Sequence, residues 1–133
     1  VDALVADLSF ISLTGVLPRL LPHVRDDGWA VVLVKPQFEV GRERVGRGGV
    51  VRDASARLDA LSSVARAAAA AGWPFAGLRP SPLRGAAGNV EFLAHLTTTA
   101  DPARAEALIE AATADEELAI DVSPAPDHAG VDA

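Results

Sequence analysis

The sequence of 133 residues contains no cysteine, so a disulfide framework and a thiolate metal site are both excluded. Its three histidines lack the spacing of metal ligands and stand far apart, at His23, His95 and His128. No apolar run approaches the roughly 20 residues that span a bilayer, and no signal sequence opens the chain. We therefore expect a cytoplasmic protein without a metal site or a membrane partner.

Motifs of two common enzyme classes are missing as well. No Gly-x-Ser-x-Gly turn supports a hydrolase. The glycine cluster around Gly48 lacks the lysine–hydroxyl pair of a phosphate-binding loop. The net charge of -6 argues against a generally basic nucleic-acid-binding surface, although a local basic patch can still contact phosphate. The function must therefore be sought in local groups of residues.

Half of the residues are hydrophobic, which is enough for one modest core. The first six residues have the pattern of a strand, and the chain has no methionine, so we expect a fragment of a longer protein. We assign residues 1–120 to one partial domain. Residues 121–133 are rich in proline, aspartate and alanine, and we expect a disordered tail there.

The hydrophobic pattern predicts alternating strands and helices. Strands are predicted at residues 1–6, 29–34, 75–79 and 91–97, and helices at 12–24, 54–71 and 101–118. Alternation of this kind indicates an α/β fold with a mostly parallel sheet. A short link joins the last two strands, so we expect them to form an antiparallel pair at one sheet edge.

Some core positions can be predicted too. In the alanine-rich second helix, helical spacing places Leu58, Leu61, Val64 and Ala68 on one buried face. Trp29 and Trp73 stand at the beginnings of strands, and we expect both to pack against the core rather than to stack on a nucleic-acid base.

Lys35 has the most informative position. It follows an apolar, β-branched segment typical of a buried parallel strand, and Pro36 prevents that strand from continuing. Because parallel sheets bind ligands at the carboxyl ends of their strands, Lys35 is a candidate catalytic residue. The alternative is a solvated lysine at the end of an ordinary strand.

Four segments carry a family resemblance. They are residues 7–13 (DLSFISL), 33–39 (LVKPQFE), 46–53 (GRGGVVRD) and 81–93 (SPLRGAAGNVEFL). In this order and spacing they resemble the TlyA/haemolysin A family, which consists of FtsJ-like, S-adenosylmethionine-dependent ribosomal RNA 2′-O-methyltransferases. The resemblance extends from Val1 to about Thr99.

The resemblance implies the carboxyl-terminal half of a Rossmann-like class I methyltransferase domain. It implies catalytic roles for Asp7, Lys35 and Glu91, and contacts of Asp7 and Leu8 with S-adenosylmethionine. The expected partner is ribosomal RNA or a ribosomal subunit. The family's first catalytic lysine, its glycine-rich cofactor loop and its S4-like RNA-binding domain lie upstream and have no counterpart here. A sheet cut at this point would expose an edge, and self-association through that edge is a further expectation.

Several arginines are candidate contacts to RNA phosphates. Four of them stand on a glycine-rich segment and one on a later loop: Arg42, Arg44, Arg47, Arg52 and Arg84. The alternative is that the glycine-rich segment is only a flexible connector.

The chemistry of each site residue leaves alternatives open. Lys35 could remove the ribose hydroxyl proton, but a lysine is normally protonated at neutral pH, so it could instead stabilise the developing alkoxide. Asp7 could merely cap the next helix, and Glu91 could be an ordinary exposed strand residue. A non-catalytic haemolysin-like or RNA-binding protein is the alternative function.

Overall fold

The computed structural model describes residues 1–114, which form a four-stranded sheet with helices packed on one face. The strands are β1 (Ala3–Ala6), β2 (Trp29–Val34), β3 (Phe75–Pro80) and β4 (Phe92–Leu96). The helices are α1 (Leu13–Leu20), α2 (Ala54–Ala70) and α3 (Ala105–Ala114). The predicted end of the last helix near residue 118 and the predicted disordered tail at 121–133 lie outside the described residues.

The sheet has the strand order β1-β2-β4-β3. Strands β1 and β2 are parallel, whereas β4 is antiparallel to both of its neighbours. The α/β fold with an antiparallel strand near the end is therefore confirmed. The expectation of a mostly parallel sheet holds for strand direction, since three strands point the same way, but only one of the three pairings is parallel.

Strands β3 and β4 form an antiparallel pair at one sheet edge, as the sequence predicts, with β3 outermost and β4 between β3 and β2. Phe92, Ala94 and Leu96 of β4 are fully buried in the core. With β4 inserted beside β2, the beginning of β4 lies next to the end of β2, where Phe92 pairs with Val34.

Side-chain caps fix the beginnings of α1 and α2. The Ser12 hydroxyl accepts a hydrogen bond from the Thr14 backbone N–H at 3.1 Å, and the Asp53 carboxylate accepts one from the Ser55 N–H at 3.0 Å. The cap of α1 is therefore Ser12 and not Asp7. After α2, Gly72 has a φ of +86°, a left-handed conformation that suits glycine at a helix end.

The core lies between the helices and one face of the sheet. Leu61, Val64 and Ala68 of α2 are buried there as predicted, but Leu58 is 38% exposed. Leu58 lies at the flank of the buried stripe, which is centred on Ala60, Val64 and Ala68 at intervals of four residues.

The opposite face of the sheet carries no helix among the described residues. Trp73 is buried as predicted, whereas Trp29 is 43% exposed, because odd-numbered positions of β2 face away from the helices. Val5 and Leu93 are exposed on the same face. This bare face carries the apolar residues Val5, Trp29, Val31, Leu33 and Leu93, with the exposed His95 and Arg79 among them.

Candidate active site

Asp7 and Lys35 form an ion pair where two parallel strands end. Asp7 directly follows β1 and Lys35 directly follows β2, so both side chains emerge at the same edge of the sheet. The Lys35 Nζ lies 2.6 Å from Asp7 Oδ1 and donates a hydrogen bond to the Ser9 hydroxyl at 3.1 Å. The Lys35 side chain is 13% exposed and that of Asp7 is 63% exposed. The ammonium group is thus held in place beside an open carboxylate.

Two aromatic rings from the same two segments contact each other. Phe10 has a φ of +63°, which is rare for a residue with a side chain, and its side chain is 89% exposed. Its ring contacts that of Phe38, with centroids 5.0 Å apart and planes inclined by 51°. A strained backbone that presents an exposed aromatic ring is typical of a binding site.

The carboxylate of Glu39 joins the segment after β2 to the beginning of α1. Its Oε1 accepts a hydrogen bond from the Ser12 hydroxyl at 2.7 Å, and its Oε2 accepts one from the Leu13 backbone N–H at 2.8 Å. Burial raises the pKa of Glu39 above its ordinary value of 4.5, and the two hydrogen bonds partly oppose this rise. Both oxygens of this half-buried carboxylate are therefore used.

Glu91 is buried at the same edge of the sheet. Its side chain is 6% exposed, so the alternative of an ordinary exposed strand residue is wrong. Its Oε2 accepts a hydrogen bond from Gln37 Nε2 at 2.9 Å, and its carboxylate packs directly against the Cα of Gly85. Because Gln37 is two residues after Lys35, this bond connects Glu91 to the lysine-bearing segment.

The arginines have different environments. Arg44 is bound within the protein by Asp59, Asp53 and the Ser55 hydroxyl. The side chains of Arg42, Arg47 and Arg52 are exposed, and Arg52 donates a hydrogen bond to the Arg47 carbonyl at 3.2 Å. In Arg84, the buried Nε has no hydrogen-bond partner. Of the five candidates, three are therefore exposed together on one segment.

We call residues 41–52 the arginine segment. The buried side chain of Asn89 connects this segment by hydrogen bonds to the loop that precedes Glu91. The Asn89 amide accepts a hydrogen bond from the Val51 N–H at 2.9 Å and donates to the carbonyls of Gly49 and Ala86 at 2.8 and 3.1 Å. The arginine segment therefore has a defined attachment to the candidate site.

Sequence reasoning missed the side chains that surround the central pair. Ser9, Phe10, Gln37, Phe38 and Glu39 all lie within the two motifs that contain Asp7 and Lys35, but only the geometry shows that they meet. The positions of the two motifs, each directly after one of two neighbouring parallel strands, indicate that the segments lie side by side but not which of these side chains meet.

Comparison with known proteins supports the assignment by family. The model of the FtsJ-like methyltransferase family matches residues 1–98. This match covers most of the chain and contains every strand and loop that positions the site. The chain therefore belongs to the FtsJ-like methyltransferase family.

Individual relatives narrow the assignment to the TlyA/haemolysin A group. The 16S/23S rRNA (cytidine-2′-O)-methyltransferase TlyA of Mycobacterium tuberculosis is 52% identical over 103 residues, which are 77% of this chain and 38% of that protein. Hemolysin A of Brachyspira hyodysenteriae is 37% identical over 94 residues, 71% of this chain and 39% of that protein. The chain thus spans about two fifths of the length of these relatives.

A solved structure shows the same fold. The hemolysin-type protein of Lactococcus lactis is 38% identical, with a TM-score of 0.78 over 87% of this chain and 56% of that one. Within residues 1–114, no helix is both long and apolar enough to cross a membrane. The same part of the chain contains no cluster of three metal-ligating side chains.

Proposed function

We propose that this chain is the carboxyl-terminal part of the catalytic domain of a cytoplasmic enzyme that methylates a ribose 2′-hydroxyl of ribosomal RNA. One observation carries the proposal: the ion pair between Lys35 and Asp7 at the carboxyl ends of two adjacent parallel strands. Glu91 is buried at the same edge. The family match and the name of the mycobacterial relative support the reaction class.

S-adenosylmethionine is the methyl donor that the family implies, and the residues present fit it. The Asp7 carboxylate is largely exposed, and the half-buried Leu8 follows it at the end of β1. An open carboxylate beside an apolar side chain suits a cationic sulfonium with hydrocarbon arms. We assign Asp7 and Leu8 to this contact. The bound donor supplies an electrophilic methyl group.

Lys35 has the role of orienting and stabilising the ribose oxygen. Its ammonium group is fixed by the Asp7 carboxylate at 2.6 Å and by the Ser9 hydroxyl at 3.1 Å. A fixed cation lowers the energy of an oxygen that gains negative charge, without reorganisation at the moment of reaction. This arrangement supports electrostatic stabilisation over removal of the proton by Lys35.

The exposed ring of Phe10 offers a surface for the base of the target nucleotide. Stacking on an aromatic ring is worth about 1–3 kcal/mol per base and tolerates any base. The exposed arginines Arg42, Arg47 and Arg52 would contact phosphates of the same RNA. Arg84 and Arg44 would contribute to this surface only if RNA displaces their present surroundings.

Transfer of a tritiated methyl group to ribosomal RNA tests the proposal in a full-length protein that contains this chain. We expect Lys35→Ala to lower the rate at least about a hundredfold, the lower range for a catalytic acid–base or electrostatic group. The exposed Arg66→Ala on α2 is the matched control and should leave the rate unchanged. Near-normal methyl transfer by Lys35→Ala would show that this lysine has no part in the mechanism.

The alternative of a non-catalytic haemolysin-like or RNA-binding protein makes the opposite prediction. Such a protein would not bind S-adenosylmethionine. Calorimetric titration of the full-length protein with S-adenosylmethionine therefore separates the two functions, and no measurable heat would favour the alternative.

A further inference from the structure

The segment Lys35–Glu39 contacts the loop Asp7–Leu13 near both ends and in the middle. The contacts follow the chain order of both segments: Lys35 with Asp7 and Ser9, Phe38 with Phe10, and Glu39 with Ser12 and Leu13. The two segments thus run side by side in the same direction, as the parallel strands before them do. Glu39 closes the end that is farthest from the sheet.

The loop needs these hydrogen bonds from Glu39 because the backbone in the middle of the loop is strained. Phe10 has a φ of +63°, a conformation that costs a residue with a side chain on the order of 1 kcal/mol. Its ring is 89% exposed, so burial of the ring does not hold the backbone in place. The loop is held instead at its two ends, by Lys35 near Asp7 and by Glu39 at the start of α1.

We propose that Glu39 is a positioning residue for the reaction, acting through the loop that carries Ser9 and Phe10. Its two hydrogen bonds fix the first turn of α1 against the segment that carries Lys35. The Ser9 hydroxyl on Nζ of Lys35 and the exposed ring of Phe10 therefore keep their places relative to the lysine. This inference rests on the proposed methyl transfer and adds a residue to the same site.

Three substitutions of Glu39 separate the effect of side-chain length, the effect of charge and the effect of losing both hydrogen bonds. Glu39→Gln keeps the length: its oxygen accepts from the Leu13 N–H, and its amide donates to the Ser12 hydroxyl. Glu39→Asp keeps the charge but is one methylene too short to reach both partners. Glu39→Ala removes the bridge. Glu110→Ala, at an exposed glutamate on α3 away from the site, is the matched control.

The experiment measures kcat and KM for methyl transfer, together with the dissociation constant for RNA, in a full-length protein containing this chain. We expect Glu39→Ala and Glu39→Asp to lower kcat about tenfold to a hundredfold, since a displacement of about 1 Å can cost that much. The dissociation constant for RNA should rise less than about fivefold, because a displaced Phe10 weakens the stacking of one base whereas the exposed arginines keep their phosphate contacts. Glu39→Gln and Glu110→Ala should stay close to wild type.

Each outcome is informative. Equal kcat values for Glu39→Gln and Glu39→Asp would overturn the inference, and this pair decides it even if Glu39→Ala does not fold. A parallel loss of kcat and RNA affinity would also overturn it, because that result indicates general unfolding. A wild-type protein without methyl transfer to ribosomal RNA would instead contradict the proposed function, so the two failures are distinguishable.

Discussion

The environment of Glu91 shows how a single residue without a side chain can keep a functional group in place. Gly85 lies so close to the Glu91 carboxylate that a Cβ atom at position 85 would overlap it. Gln37 donates a hydrogen bond to Oε2 of the same carboxylate. The position of Glu91 therefore depends on the absence of a side chain at Gly85 as much as on a hydrogen bond.

Gly85→Ala should displace the Glu91 carboxylate and lower methyl transfer about tenfold or more. The free energy of unfolding should fall by less than about 1 kcal/mol, because the displaced group is the end of a flexible side chain. Gly15→Ala is the control, since nothing lies within 4 Å of its new Cβ. Alanine in α1 should add up to about 1 kcal/mol of stability and leave transfer unchanged. Equal activity of the two variants would contradict the role given to Gly85.

Glu39 should make stability depend on pH. Burial raises its pKa above 4.5, so the folded state binds more protons than the unfolded state between the ordinary and the raised value. The stability contribution of Glu39 is therefore fully present below about pH 4.5 and is lost as the pH rises through the raised pKa. Urea unfolding at a series of pH values, followed by circular dichroism, should show this decline in the wild type relative to Glu39→Gln.

The control for this pH series is Glu43→Gln, which removes an exposed carboxyl four residues further along the chain. A constant difference between wild type and Glu39→Gln across the series would mean that burial does not shift the titration of Glu39.

At the residue scale, the sequence predicts that Lys35 and Asp7 lie together, but it does not predict which side chains surround them. Lys35 and Asp7 can be predicted to lie together because each follows an apolar strand, and the carboxyl ends of parallel strands share an edge. The roles of Phe10 and Glu39 cannot be predicted, because no sequence pattern indicates a positive φ in a phenylalanine. No pattern indicates long-range hydrogen bonds between loops either.

The arginine segment, residues 41–52, belongs to the scale of elements. Asn89 fastens it to the loop before Glu91, so its exposed arginines have a fixed direction relative to the site. Arg44 is the exception, because Asp59 and Asp53 bind its guanidinium. The segment is therefore attached to the fold at a defined place, and its role in RNA binding is a proposal.

Replacing Arg42, Arg47 and Arg52 together by alanine should weaken RNA binding. It should also flatten the salt dependence of binding, by a slope of about 0.7–0.9 for each phosphate that the variant no longer neutralises. Arg44→Ala should change the slope much less, because Arg44 is already paired. Filter-binding titrations at several salt concentrations, with Arg66→Ala as control, measure these slopes. An unchanged slope in the triple variant would show that the segment does not bind RNA.

Among the helices and strands, those features that local sequence signals determine can be predicted. The predicted helix over residues 54–71 agrees within one residue with α2, which Asp53 caps and Gly72 follows. The interior position of β4 cannot be predicted from the sequence, because the strand order depends on which sheet edge is free after the other strands have paired. The exposure of Trp29 is not readable for a related reason: the sequence shows an apolar strand but not which of its faces a helix covers.

The whole molecule has an apolar face with nothing packed on it among residues 1–114. Val5 is 70% exposed, Trp29 43% and Leu93 38%. Strand β1 is also at an edge of the sheet. Because the relatives are much longer than the matched region, we propose that upstream sequence covers this face and completes the donor site.

The isolated chain should therefore self-associate at micromolar concentration and bind S-adenosylmethionine weakly or not at all. Val5→Lys places a charge on the bare face and should reduce the apparent mass in light scattering. Leu83→Lys, at an exposed site in the loop before Glu91, is the control and should have no effect. A stable monomer that binds the donor with micromolar affinity would show that the isolated chain needs no cover on this face.

The central claim is methyl transfer to a ribose hydroxyl at the site built on Lys35 and Asp7. Alkaline hydrolysis of ribosomal RNA labelled by the full-length protein tests it most directly, because a 2′-O-methyl group blocks cleavage of the adjacent phosphodiester. The account predicts that the label is recovered in alkali-resistant dinucleotides and that Lys35→Ala abolishes it. Label in single nucleotides, which indicates methylation of a base, would contradict the account.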